Sequence, residues 1–268
     1  MTEPSSPVDA LRAARTAVLE RIAAACARVG RDPSSVELVA VSKTVDADRL
    51  QAAVEAGLTT LAENRVQEGE AKAPLVPGAT WHLVGPLQSN KAKRALETFD
   101  VIQTVDSVGL AGRLDRLARE VRSAGPSRRY PVLVQVNVDD DPSKAGFVPD
   151  ELDAALDQIG GLDALEVRGL MTIGRLVDSP EAARPTFAGL RTLSEGLRAS
   201  HASLGPALSM GMTEDFEIAV EEGATIVRVG RALFGERPHR HGQGDAPHTH
   251  GDDGGLHDRP AAVDRSTG

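Results

Sequence analysis

The sequence predicts an α/β fold: a single (β/α)8 TIM-type barrel with an extra N-terminal helix before it and a disordered C-terminal tail after it. Three observations predict it. Eight short apolar runs alternate with helical patterns between residues 36 and 232. A hydrophobic content of 41% over 268 residues is enough to bury one large core. The alternation then stops at Gly235.

Residues 8–29, VDALRAARTAVLERIAAACARV, repeat apolar positions at three- and four-residue spacing, the period of an amphipathic helix, and Gly30 and Pro33 end it. The strands expected next are VELVAVSK (36–43), TTLAEN (59–64), TWHLVG (80–85) and VIQTVD (101–106). PVLVQVNV (131–138), EVRGLMTI (166–173), PALSMG (206–211) and TIVRVGRA (225–232) complete the set. Helical stretches such as DSVGLAGRLDRLAREVRSAG and DELDAALDQIGG separate them. A doubly wound open sheet accommodates the same alternation, and strand counting alone does not exclude it. The expected organisation is a flexible N-terminus over 1–7, a barrel over 8–235 and a tail over 236–268. The tail is rich in Gly, Pro, His and Asp and poor in large apolar residues, so it cannot bury enough surface to offset its ordering entropy. Five of the seven histidines lie there, without cysteines or a preorganised geometry, and no metal site is expected.

Composition also excludes function classes. No apolar run approaches the length of a membrane span, and the first residues lack the apolar core of a secretion signal. The single cysteine, Cys26, forms no internal disulfide, which makes a cytoplasmic location the default expectation. A net charge of −9 argues against nucleic-acid or anionic-membrane partners.

In a barrel of this kind, functional groups come from the C-terminal ends of strands. Lys43, Asn64, His82, Asn137, Thr172, Ser209 and Arg228 fall at or near such ends. Lys43 stands out because the chain has only five lysines against twenty-five arginines. A desolvated amine can lose its proton and attack an aldehyde, whereas a guanidinium cannot; a lysine that simply extends into water is the plain alternative. Far along the chain, LSMGMTEDF and VRVGRALFG each carry a strand into a helix through a small-residue turn. Hydroxyl and backbone N–H donors at two such turns suit a phosphate, with Ser209 and the Gly230–Arg231 amides as the expected contacts. Glu214 and Asp215 are expected to face away from it. An amine nucleophile and a phosphate cradle together suggest pyridoxal 5′-phosphate (PLP), or a sugar phosphate in a class I aldolase.

The motifs AVSKT, AENRVQE, WHLVGPLQSNK, VNVDDDPSKAGF, RGLMTIG, LSMGMTEDFEIAV and VRVGRALFG, in that order, resemble the pyridoxal phosphate homeostasis proteins. These are barrels similar to the N-terminal domain of alanine racemase, and the likeness runs from about residue 8 to 235. The resemblance implies a PLP-binding protein of intracellular vitamin B6 homeostasis that carries PLP as a lysine aldimine. Lys43 matches the bonding lysine, Asn64 a residue near the ring edge, and Ser209 with Gly230 and the Arg231 amide the phosphate site. Arg228 matches an arginine at the pyridine nitrogen, where a fixed cation makes the ring a weaker electron sink, and His82 lies on the cofactor's side of the barrel. Two positions depart from the pattern: Arg231 stands where a small hydroxyl residue is common, and Arg65 where a tyrosine often follows the asparagine.

A fold-type III amino-acid racemase is the alternative. Its chemistry needs an opposing base, usually a tyrosine near the mouth and a second domain, and the only tyrosine here is Tyr130, ahead of a strand. No catalytic residue is therefore assigned. The implied partners are PLP and apo PLP-dependent enzymes, and a monomer is expected because the second domain of the racemase-style dimer is missing.

Overall fold

The computed structural model describes residues 6–121, 129–175 and 177–235; residues 1–5 of the expected flexible N-terminus and the tail expected over 236–268 lie outside the described residues. Eight parallel strands close in sequence order, and the open-sheet alternative is excluded. They are β1 (Glu37–Val41), β2 (Thr60–Glu63), β3 (Thr80–Leu83), β4 (Val101–Val105), β5 (Tyr130–Gln135), β6 (Leu165–Met171), β7 (Ala207–Ser209) and β8 (Ile226–Val229). The closing pair runs from Glu37↔Ile226 to Ala40↔Val229. Each strand is shorter at its C-terminal end than the apolar pattern suggests, because the ladder stops where the chain turns to form the mouth and composition does not register that turn.

Helices follow the strands in rotation: α2 (Ala47–Glu55), α3 (Val66–Lys72), α4 (Ala92–Thr98), α5 (Val108–Val121), α6 (Pro149–Gly160), α7 (Arg184–Ser200), α8 (Phe216–Glu221) and α9 (Arg231–Phe234). The leading helix, α1 (Pro7–Arg28), starts one residue earlier than its periodicity suggests. Ser6 caps it by accepting from the Asp9 amide at 3.1 Å, and Pro7 occupies the first turn, where a missing N–H costs nothing. Its buried stripe, Leu11, Val18, Ile22, Ala25 and Cys26, packs on α2, α8 and α9. Arg21 pairs with Glu217 at 2.6 Å and Arg28 with Glu221 at 2.5 Å to seal the edge.

Two layers of core result. The larger lies between strands and helices. The smaller fills the barrel with Val39, Ala62, Val84, Val101, Leu133, Met171 and Ile226, one inward residue from each of six strands and, in Val84, the position just past β3. His82, Gln103, Ser209 and Arg228 share the inward parity of these residues, so the alternation that builds the core also sends four polar groups into the barrel.

Candidate functional site

Val39 and Val41 point inward on β1, and Lys43 is the next position of that parity, half-buried at the mouth. The chain there makes a tight turn, closed by the Val45 amide donating to the Ser42 carbonyl at 3.0 Å. Thr44, its third residue, has φ 69°, a left-handed conformation that ordinarily takes glycine. A β-branched residue held there costs on the order of 1–3 kcal/mol, a strain typical of ligand-binding turns. Its neighbours hold it in place: the Ser42 amide is tied to the Ala62 carbonyl at 2.9 Å, and Asp46 accepts from the Arg49 amide at 2.8 Å to start α2.

The last two βα turns lie beside it. Ala40 pairs with Val229, and a Cβ on Gly230 would stand only 3.3 Å from the Val41 carbonyl oxygen. Glycine thus lets the turn at the end of β8 close up against the strand end that carries Lys43. At the end of β7, Gly211 has φ 87°, and a Cβ there would come within 2.5 Å of the Ala219 side chain and 2.9 Å of the Phe216 backbone. The helix after this turn begins at Phe216. Residues 212–215 form a closed turn, with the Met212 amide donating to Asp215 Oδ1 at 2.7 Å. Thr213 Oγ1 accepts from the Gly230 amide at 3.4 Å, which ties the two turns together without using the threonine's own proton. Of the two carboxylates expected to face away, Asp215 closes its own turn and Glu214 pairs with the Arg231 guanidinium at 2.7 Å. Arg231 is exposed, so its side chain answers to Glu214 while its amide begins α9.

Ser209 is fully buried and faces down the barrel. Its hydroxyl accepts from Arg228 Nη1 at 2.7 Å and donates to Gln103 Oε1 at 2.6 Å, so its single proton is already committed. Arg228 Nη2 donates to the Thr172 carbonyl at 2.8 Å. Burial pushes the Arg228 guanidinium down to about 10, partly offset by Asp215, and it remains a cation at neutral pH. Gln103 Nε2 lies 2.8 Å from His82 Nδ1. Burial, with Arg168 as a lesser cause, pushes His82 down to about 4, so the ring is neutral at physiological pH. Asn64 stands half-buried just past β2, and Gly85 packs against it so tightly that a Cβ would fall 2.2 Å from the Asn64 carbonyl oxygen.

Lys43, Asn64, Gly230 and Arg231 therefore border the mouth, whereas His82, Ser209 and Arg228 form its floor. Asn137 and Thr172 serve the scaffold: Asn137 braces its own loop through Asp141, and the Thr172 hydroxyl donates to the Val136 carbonyl at 2.8 Å. Two residues of the site escaped the sequence reading. Gln103 was visible as a polar residue inside an apolar strand, and Thr213 as the second hydroxyl of the SMGMT turn.

Comparison with known proteins agrees with this architecture. Residues 15–238 match the sequence model of the alanine racemase N-terminal domain, the class of barrel that fold and mouth define. The pyridoxal phosphate homeostasis protein of Aquifex aeolicus is 38% identical over 224 residues, covering 83% of this chain and 96% of that protein. A solved structure of PipY from Synechococcus elongatus with PLP bound superposes with a TM-score of 0.70 at 42% identity, covering 81% of this chain and all of the PipY chain. Alanine racemase of Clostridium difficile shares the fold at 14% identity, with a TM-score of 0.63 over 82% of this chain and 60% of that one. The chain belongs to the family of pyridoxal phosphate homeostasis proteins.

Proposed function

We propose that this chain binds PLP and serves its homeostasis, holding the cofactor as an aldimine on Lys43. The observation that carries the reading is the closing register: Ala40 opposite Val229 sets the only lysine of the β1 turn beside the Gly230 turn, so an amine and an anion cradle share one mouth. The donor set suits the three handles of PLP. Lys43 would supply the amine that bonds the aldehyde carbon, its nitrogen replacing the carbonyl oxygen, which would leave as water. The Thr213 hydroxyl and the Arg231 amide would receive the phosphate, joined by the Gly230 amide once it gives up its long 3.4 Å contact to Thr213. Arg228, beneath, would be a fixed cation that disfavours protonation of the ring nitrogen, with Ser209 acting through it; Asn64 would border the ring, and His82 would lie in the floor below it. Such a ring suits storage and delivery to apo PLP-dependent enzymes better than broad carbanion chemistry. Tyr130 gives a racemase reading no support: it is the first residue of β5, at the end of the strand opposite the mouth, and its hydroxyl donates to the Phe99 carbonyl at 2.5 Å.

The test is the visible spectrum of the purified protein with PLP before and after borohydride, with mass spectrometry of the reduced adduct. The expected result is a yellow band that borohydride bleaches and an adduct on Lys43, both lost in Lys43→Ala. An adduct confined to Lys91 or Lys144 would overturn the assignment. Lys144 is the stricter control, because its ammonium already donates to the Ile173 and Gly174 carbonyls.

A further inference from the structure

We propose that His82 and Gln103 are positioning residues for Arg228: a one-directional chain of hydrogen bonds, from the guanidinium through Ser209 and Gln103 to the His82 ring, fixes the cation at the floor of the mouth. Its direction follows from the guanidinium at one end and from the single proton of Ser209. A guanidinium cannot accept, so Arg228 must donate to the Ser209 oxygen at 2.7 Å. Ser209 then has one proton to place, and Gln103 is the one acceptor its hydroxyl meets among the described residues, so the carboxamide atom 2.6 Å away is the Gln103 oxygen. The NH2 end of Gln103 therefore faces His82 Nδ1 at 2.8 Å, which makes that nitrogen the acceptor and places the ring proton on Nε2.

All four side chains lie on the inner face, with at most 4% of any residue exposed. They come from β3 and β4 on one side of the barrel and β7 and β8 on the other, so the chain spans its interior. So little of it is exposed that each link depends on the next. Losing the His82 acceptor leaves a buried amide proton of Gln103 unpaired, and the cheapest repair is a rotation that withdraws the acceptor from Ser209 and frees Arg228 to turn. Direction and burial together make His82, which meets the guanidinium only through Gln103 and Ser209, part of what aims it.

The first test needs no cofactor. Nitrogen-15 NMR of the histidine rings in the full-length wild-type protein, with the His82 signal identified by its loss in His82→Asn, is expected to show a neutral ring protonated on Nε2 between pH 6 and pH 8. A ring protonated on Nδ1 would overturn the chain whatever the function of the mouth.

The second test rests on the PLP reading. His82→Leu removes the acceptor and should weaken PLP retention about tenfold, whereas His82→Asn, whose amide oxygen falls near the Nδ1 position, should retain it within about threefold. Equal retention by His82→Leu and wild type would overturn the positioning role. A wild-type protein that fails to bind PLP would instead defeat the reading of the mouth and leave the NMR result to decide the chain. Should His82→Leu fail to fold, the wild-type tautomer remains the deciding measurement.

Discussion

Lys72 and Glu63 meet at 2.7 Å directly behind the turn that carries Lys43. The same carboxylate oxygen accepts from the Ser42 hydroxyl at 2.7 Å, and the Lys72 ammonium also donates to the Ser42 carbonyl at 3.0 Å. Both polar ends of the residue before Lys43 are thus clamped by one buried ion pair. The second oxygens of Glu63 and Glu68 are buried without a hydrogen-bond partner, and burial, reinforced by the neighbouring Glu68 carboxyl, raises Glu63 to about 7.

This arrangement predicts a pH dependence of stability. The raised pKa means that the folded chain holds a proton the unfolded chain releases. The contribution of Glu63 is therefore most favourable below its unfolded value of about 4.5, is lost as pH rises toward 7, and is flat above that. Urea unfolding at pH 5 and pH 8 should show wild type losing up to about 3 kcal/mol more across that interval than Glu63→Gln. Equal losses would show that Glu63 titrates normally.

Arg184 joins three carboxylates: Glu181, Glu221 at 2.7 Å and Glu222 at 2.7 Å. Glu221 and Glu222 are only 11% exposed at their side chains, so removing the cation leaves two nearly buried charges side by side where α7 meets α8. Arg184→Ala should cost about 1–2 kcal/mol in denaturant midpoints at low salt, with part of the loss recovered at about 0.5 M salt through screening.

Gly211→Ala should destabilise by about 2 kcal/mol or more, because the new methyl meets both a left-handed backbone and the Phe216–Ala219 face of α8. Thermal melting measures it. Gly112→Ala is the control: it sits in α5, where a Cβ meets nothing within 4 Å, and should be neutral or stabilising.

If the phosphate rests on the last two turns, Thr213→Ala should weaken PLP retention by about 1–2 kcal/mol, the scale of a hydrogen bond to a charged group. Arg231→Ala should change it by less than about threefold, because the amide it leaves in place is the proposed contact and the side chain serves Glu214. Equilibrium dialysis of PLP separates the two. Similar losses from both would move the anion site onto the Arg231 side chain.

Much of this was legible in the sequence. Eight apolar runs with helical spacers specify eight strands, because a strand buried on both faces must be apolar throughout and a crossover helix must be amphipathic. Lys43, Gly230 and the SMGMT turn announced themselves because their residue types serve few structural ends at strand termini. What the linear order left open was direction. Ser209 has the composition of a phosphate contact, yet its proton goes to Gln103, a residue 106 positions away.

By itself, then, the sequence determined the elements, their alternation and the chemistry present at the strand ends, since periodicity and residue type are local properties. Only the tertiary structure decided that the sheet closes and that β1 and β8 lie side by side. It alone turned His82, Gln103, Ser209 and Arg228 into one connected floor and placed Glu63 and Lys72 behind the Lys43 turn. The physical reason is that hydrogen-bond direction, burial and the pairing of buried charges depend on which strands become neighbours, and closure of the barrel sets that.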